Sequence, residues 1–147
     1  MARSCQEIFE TAIALMDELD EEGNADTQDT AEYKNRTVMI LNILSQELYP
    51  YSDTYDTPTD SSRSTTHFMR TMEDYPDLDD YICGAILPYG LAAHLLMEED
   101  PTAANFFQQR YEDLKQKLRE GRLAASEDIE DVYSSGTGIG FEWTTRW

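Results

Sequence analysis

Few residues in this sequence have the types and the spacing that catalysis or cofactor binding requires. Gly136, Gly138 and Gly140 alternate like the glycines of a phosphate-binding loop, but such a loop follows a strand and opens a helix. We predict neither element beside these glycines and interpret them as a hinge. His67 and His94 have no cysteine or second histidine at the spacing of a zinc site.

The acidic clusters match no metal site either. Asp77, Asp79 and Asp80 form one cluster, and residues 20–24 begin like a calcium loop. The second cluster has glycine at its fourth position and no glutamate at its twelfth, so it departs from the helix-loop-helix calcium pattern. We interpret both clusters as solvated faces and helix caps. No pair of carboxylates is singled out, and we predict no enzyme, no metal site and no cofactor.

The charge of the chain is strongly negative. Its 147 residues contain 30 Asp and Glu against 11 Lys and Arg, which gives a net charge of -19. The chain lacks the clustered bases of a surface that binds nucleic acid, although DNA can pass beside an acidic wall without adhering to it. Only residues 101–123 are locally basic, with five bases against three acids.

The longest uncharged run, residues 81–97, is interrupted by Gly84, Pro88 and Gly90. It is shorter than the roughly 20 apolar residues that span a bilayer. We therefore predict a buried helix here and no membrane partner.

Two cysteines, Cys5 and Cys83, are too few for a disulfide framework or a metal motif. Each lies beside apolar residues in a predicted helix. We predict that both are buried free thiols.

Hydrophobic residues at helical spacing predict four helices and a mainly α fold. Ser4 opens a capping box for the first helix, which we expect over residues 5–21 and which Gly23 terminates. Asp29 caps the second helix, and Pro50 ends it. The short link between the two predicts an antiparallel pair.

A second pair of helices is predicted in the C-terminal half. Asp77 caps the third helix, and Pro88 kinks it by removing a backbone donor. Asp100 and Pro101 open the fourth helix, which Gly121 ends. The apolar stripe of the fourth helix predicts that it packs back on the third.

Residues 50–76 form a long segment rich in Ser, Thr, Asp and Tyr, without a helical stripe. Loops longer than about 12–15 residues are usually functional or mobile. We predict a projecting arm that becomes ordered against a neighbour, with Tyr51 and Tyr55 as candidate interface residues.

The sequence predicts a helical domain over residues 1–121 and an extended tail over residues 122–147. Large apolar side chains gain roughly 1.5–3 kcal/mol on burial, and Trp and Arg are typical interface anchors. The candidate anchors of the tail are Phe141, Trp143, Arg146 and Trp147. The alternative is that the tail folds back to cover the helices of its own chain.

The helical part resembles the small adaptor proteins of the head–tail connector, the neck adaptor or head completion proteins of tailed bacteriophages of the siphophage type. The resemblance rests on EIF at 7–9, MDE at 16–18, DTAEYK at 29–34, LPYGLAAHLL at 87–96 and FFQQRY at 106–111. It implies a ring, commonly of twelve copies, between the portal protein and a further neck or tail protein. Such a ring lines the channel through which DNA leaves the head, and the protein is made in the host cytoplasm and resides in the virion neck.

A second hypothesis follows from the charge alone. An acidic chain of this size can mimic DNA or act as a regulatory protein-binding module in the host cytoplasm. The basic fourth helix and the long arm favour the adaptor, because a mimic needs a continuous acidic face.

Overall fold

A computed structural model describes residues 3–125 of the chain. This part contains four α-helices, α1 (Cys5–Leu15), α2 (Ala31–Leu48), α3 (Leu87–Leu96) and α4 (Pro101–Ala125). One turn of 3-10 helix, Tyr49–Tyr51, follows α2, and a π-helical segment, Ile82–Ile86, leads into α3. The prediction of a mainly helical fold with about four helices is confirmed, and no strand occurs within residues 3–125.

Helix α1 begins as predicted but is shorter. The Ser4 hydroxyl accepts a hydrogen bond from the Glu7 N–H at 3.3 Å. The helix ends at Leu15 rather than at residue 21, because Asp17 adopts a left-handed conformation with φ 60°. The next amide, Glu18 N–H, then donates to the Ile13 carbonyl at 3.1 Å, the bond of a Schellman terminator. Gly23, with φ 86°, lies in a separate turn beyond this point.

Helix α2 begins one residue later than predicted. Its first flanking residue is Thr30, not Asp29, and the Thr30 hydroxyl donates to the Ala25 carbonyl at 2.6 Å instead of capping the helix. The hydroxyl thus anchors the preceding loop. The helix ends at Leu48, close to the expected stop at Pro50.

The helix that includes α3 is capped by Asp79, and the predicted cap Asp77 was wrong. The Asp79 carboxylate accepts the Ile82 N–H at 2.9 Å. Pro88 lies in the first turn of α3 and has no N–H to donate. The preceding π-helical segment widens the backbone, and the Leu87 N–H donates five residues back, to Ile82.

Helix α3 is the centre of the domain. It packs against α1, α2 and α4, and its contact with α4 is the most extensive. Helices α1 and α2 each contact α3 more than they contact each other. Nearly all of its side chains are buried, which agrees with the predicted buried helix: Leu87, Pro88, Leu91, Ala92, Ala93, Leu95 and Leu96. Within the described residues, no helix has the length and apolar character needed to cross a membrane.

Helix α4 begins as predicted but continues past the predicted end. The Asp100 carboxylate accepts the Ala103 N–H at 3.1 Å, and Pro101 is the first helical residue. Gly121 does not stop the helix, which reaches Ala125. A glycine inside a helix costs about 1 kcal/mol, and the good helix formers around Gly121 offset this amount.

The long non-helical segment is also confirmed, but residues 66–74, which we call the clasp, lie against the helices instead of projecting. The Asn42 side-chain amide on α2 donates to the Met69 carbonyl and accepts the Met69 N–H, both at 2.9 Å. The Gln46 amide donates to the Thr66 hydroxyl at 2.8 Å. The clasp is therefore joined to α2 by hydrogen bonds from side-chain amides of the helix.

The clasp also completes the first turn of α1. The first amides of a helix have no partner within it. Here the Cys5 N–H donates to the Asp74 carbonyl and the Gln6 N–H to the Met72 carbonyl, each at 2.9 Å. The clasp thus holds α1 and α2 together, which the projecting arm of the prediction would not do.

The point where α2, α3 and α4 meet leaves no room for a side chain at Gly90. A Cβ there would lie 2.9 Å from Cδ2 of Tyr111 and 3.0 Å from Cδ1 of Leu44. We expect Gly90→Ala to lower the free energy of unfolding by about 1 kcal/mol, because overpacking of roughly 1–3 kcal/mol exceeds the gain of about 1 kcal/mol in helix propensity. Urea denaturation measures the change.

Gly121→Ala is the matched control, because among the described residues no atom outside the backbone of its own helix lies within 4 Å of a Cβ at Gly121. It gains helix propensity without overpacking and should raise stability by up to about 1 kcal/mol. If both variants were stabilised equally, the close approach at Gly90 would be contradicted.

Candidate functional site

The predicted tail anchors Phe141, Trp143, Arg146 and Trp147, with the predicted hinge at Gly136, Gly138 and Gly140, lie outside the described residues. The other two candidates, Tyr51 and Tyr55, are half-buried. The Tyr55 ring packs edge-on against Tyr49, with 5.1 Å between ring centroids. Tyr55 therefore contributes to the packing of its own chain, and only part of each ring faces solvent.

Exposed apolar side chains are the main interface candidates in the described part of the chain. Single exposed apolar residues are ordinary, whereas those that share one surface can form a contact. The large exposed ones are Leu19, Met39, Ile43, Phe68, Tyr75, Tyr81, Met97 and Phe106. Six of them fall on three surfaces.

The first surface, the α2 patch, consists of Met39, Ile43 and Phe68. These three side chains line a shallow groove of about 220 Å³ between α2 and the clasp. Ile43 is 67% exposed. The Arg70 guanidinium lies 5.7 Å from the centre of the Phe68 ring and covers part of it. The patch is apolar at its centre and offers a protein contact of modest size.

The second surface, the aromatic groove, lies between α1, the π-helical segment, α3 and α4. It has a volume of about 290 Å³, and its walls include Tyr81, Tyr89 and Arg110. The Arg110 guanidinium lies 5.7 Å from the centre of the Tyr89 ring. Phe106, 62% exposed, does not line the groove itself. It extends the aromatic surface because it contacts Phe107 edge-on, and the Phe107 ring lies 6.3 Å from that of Tyr89. Aromatic and arginine side chains in one cluster are typical of protein interfaces.

The third surface, the α4 groove, is the largest of these three, with a volume of about 580 Å³. It lies between the C-terminal half of α2, the end of α3 and the start of α4. Its apolar walls are Leu44, Ala93, Met97, Pro101 and Ala104, and its polar walls are Glu47, His94, Asn105, Gln108, Tyr111 and Glu112. Binding grooves usually combine apolar walls with polar groups that orient the ligand.

A charged triad closes one end of the α4 groove. The Lys115 ammonium pairs with Glu47 on α2 and, at 3.0 Å, with Glu112 on α4. Burial alone would lower the pKa of Lys115, but its bonds to the two carboxylates outweigh burial and raise it. The triad links α2 to α4 and leaves one excess negative charge beside the groove.

Tyr111 supplies the one polar wall group of this groove that is nearly inaccessible to water, with 1% of its surface exposed. Its hydroxyl lies near the Glu47 carboxylate but makes no hydrogen bond of ordinary geometry among the described residues. Burial raises the pKa of Tyr111, and the charges of Glu47 and Glu112 raise it further. The hydroxyl therefore stays un-ionised beside the Glu47 carboxylate.

The acidic clusters bind backbone amides, but of their residues only Asp79 caps a helix. The Asp20 carboxylate accepts the N–H of Asn24 at 2.7 Å and that of Glu22 at 3.0 Å, and these bonds lower its pKa. Asp77 accepts both the backbone N–H and the ring Nδ1 of His67, at 2.9 and 2.6 Å. Residues 3–125 contain no group of three or more His, Cys, Asp or Glu arranged to hold a metal.

Both cysteines are buried free thiols, as predicted. Burial raises the pKa of Cys5 and of Cys83 to about 12, so each stays protonated at neutral pH. The Cys5 sulfur lies 3.4 Å from the Met69 sulfur and packs the clasp against α1. Neither thiol has the lowered pKa of a nucleophile.

Comparison with known proteins gave no significant match to a family model, a curated protein or a solved structure.

Sequence reasoning missed the three surfaces. Met39 and Ile43 lie outside the buried stripe of α2, which includes Leu41, Leu44 and Leu48, and this mismatch in phase is a signal that could have indicated an exposed apolar face. Phe68 and Phe106 gave no such signal, because their positions relative to the helices depend on contacts between distant segments.

The triad generates a stability prediction. Lys115→Met should lower the free energy of unfolding by about 1 kcal/mol, because it leaves Glu47 and Glu112 without their shared cation at a half-exposed site. The loss should shrink in about 1 M salt, where charges are screened beyond roughly 3 Å. Lys115 has a raised pKa, so its contribution is complete below its ordinary value of 10.5 and disappears as the pH rises through the higher folded value. Thermal denaturation at several salt concentrations measures both effects.

Lys117→Met is the matched control, since Lys117 is exposed on the same helix and has no ion pair among the described residues. Its stability should stay within about 0.5 kcal/mol of the wild type. An equal loss in both variants would show that the triad contributes nothing specific.

Proposed function

We propose that this chain is a non-enzymatic structural adaptor of a phage virion neck, which forms a ring between the portal protein and a further neck or tail protein. The proposal starts from the sequence resemblance. One structural observation supports it: the α2 patch and the aromatic groove are two separate exposed surfaces with no residue in common.

Two unlike surfaces on one small subunit suit a cyclic assembly. A ring requires a heterologous contact, in which one surface of each copy meets a different surface of the next. The α2 patch is apolar, and the aromatic groove combines rings with the Arg110 guanidinium. In this proposal the α2 patch of one copy packs on the aromatic groove of its neighbour. The number of copies, twelve, is carried over from the resemblance alone.

The charge of the chain suits a wall beside a DNA channel. Residues 17–22 contain five acids, all exposed, on the loop after α1. A negative surface repels the DNA backbone, so DNA passes without adhering. The proposed location is the virion neck, reached after synthesis in the host cytoplasm, with Tyr51, Tyr55 and the tail anchors as contacts to the portal or to the next neck protein.

Substitutions at the two surfaces test the assembly. Ile43→Asp and Phe106→Asp place a charge at exposed positions, so each should leave stability within about 0.5 kcal/mol of the wild type. Each should abolish the ring that the wild-type chain forms when co-expressed with a candidate portal protein, as measured by light scattering. A mixture of the two variants keeps one intact contact and should form dimers without rings.

Leu19→Asp is the control, since Leu19 is exposed but lines neither surface. It should assemble like the wild type. Rings of normal size from either surface variant would contradict the proposed contact, and infectious particles with joined tails in the absence of this protein would contradict the function.

The exposed acidic loop also favours the second candidate, a DNA mimic that binds a basic host protein. That function predicts tight, salt-sensitive competition with DNA for such a protein. Pull-downs from host extract that recover no basic protein would exclude it and leave the adaptor.

A further inference from the structure

We propose that, before assembly, the C-terminal segment 141–147 occupies the α4 groove of its own chain. This inference concerns the unassembled chain and does not depend on the neck function. It rests on the groove, on the basic surface of α4 and on the length of chain between them.

The groove has the chemistry that this segment needs. It has apolar walls, and its volume of about 580 Å³ accommodates a large aromatic side chain, such as those of Phe141 and Trp143. The excess negative charge of the triad complements Arg146, the one base of the segment.

The charges of α4 and of the sequence that follows it are also complementary. Arg119 is exposed near the end of the described part of α4 and has no ion pair among the described residues. The sequence that follows α4 is acidic, with Glu127, Asp128, Glu130 and Asp131. A chain that reverses after α4 therefore lays these acids along the bases of the helix.

The chain between α4 and the segment 141–147 is long enough to reach the groove. Gln108 in the groove lies 17 residues before Ala125, a distance of about 25 Å along the helix axis. The 15 residues 126–140 span up to about 50 Å when extended, and three of them are glycines that permit a reversal. A tethered segment of this length has an effective concentration in the millimolar range, which favours its own groove over that of a second copy.

Occupation of the groove by the segment 141–147 makes assembly depend on a partner. A partner that binds Phe141, Trp143, Arg146 and Trp147 must first displace them from the groove. The free chain then keeps its aromatic anchors covered until that partner is present.

Tryptophan fluorescence of the full-length chain tests the proposal, because Trp143 and Trp147 are its two tryptophans and both belong to the segment. We expect emission at shorter wavelength than that of the urea-unfolded chain, with reduced quenching by acrylamide. Both should be independent of protein concentration. Met97→Asp should shift the emission toward the unfolded value and increase quenching, whereas Met97→Leu should preserve the wild-type spectrum.

Met39→Asp is the matched control, since Met39 is exposed to 57% and Met97 to 58%, but Met39 lines the α2 patch. It should leave the spectrum unchanged, and circular dichroism verifies that all variants keep their helices. Wild-type emission equal to that of the unfolded chain would overturn the proposal, as would equal effects of the two aspartates or a wild-type spectrum that Met97→Asp leaves unchanged. A spectral shift lost on dilution to the monomer would assign the groove to the segment of a second copy instead.

Discussion

The rest of the structure depends on the burial of α3. An uncharged helix placed between α1, α2 and α4 must give each neighbour a close-packed face, and Gly90 permits the closest of these contacts, with Tyr111 and Leu44. The same burial constrains the backbone on either side. The π-helical segment accommodates Pro88, and Asp79 caps the start of the helix. Because α3 is enclosed, the surfaces available for function belong mainly to the elements around it.

The charge of the chain follows from this arrangement. The chain has a net charge of -19, and within residues 3–125 no acid is buried in the core, so the described acids lie on the loops and the outer faces of the helices. Self-repulsion of that size opposes compaction, and the clasp counters it with satisfied hydrogen bonds to both α1 and α2. On such a surface the uncharged α2 patch and the aromatic groove stand out as places where another protein subunit can approach. The proposed adaptor function uses both.

Helical periodicity predicted the four helices, the buried third helix and the two buried thiols, because these features repeat a local pattern of burial. The helix limits were less predictable. Asp17 adopts a conformation usually taken by glycine, and Asp79 competes with its neighbour Asp77 for the cap, so residue type alone does not select the terminus. The clasp lay beyond sequence reasoning, since Asn42 and Met69 are 27 residues apart. The α4 groove was not predicted for the same reason, because its walls come from three helices that are distant in the sequence.

Hydrogen exchange of the full-length chain, alone and co-expressed with a candidate portal protein, tests the central claim that a rigid core presents two assembly surfaces. We expect the amides of α3 to exchange slowest in both samples, and those around Ile43 on α2 and Tyr81 beside the aromatic groove to gain protection only in the assembly. Exchange at both surfaces that is unchanged by the portal protein, or exchange of α3 as fast as that of the clasp, would contradict the claim.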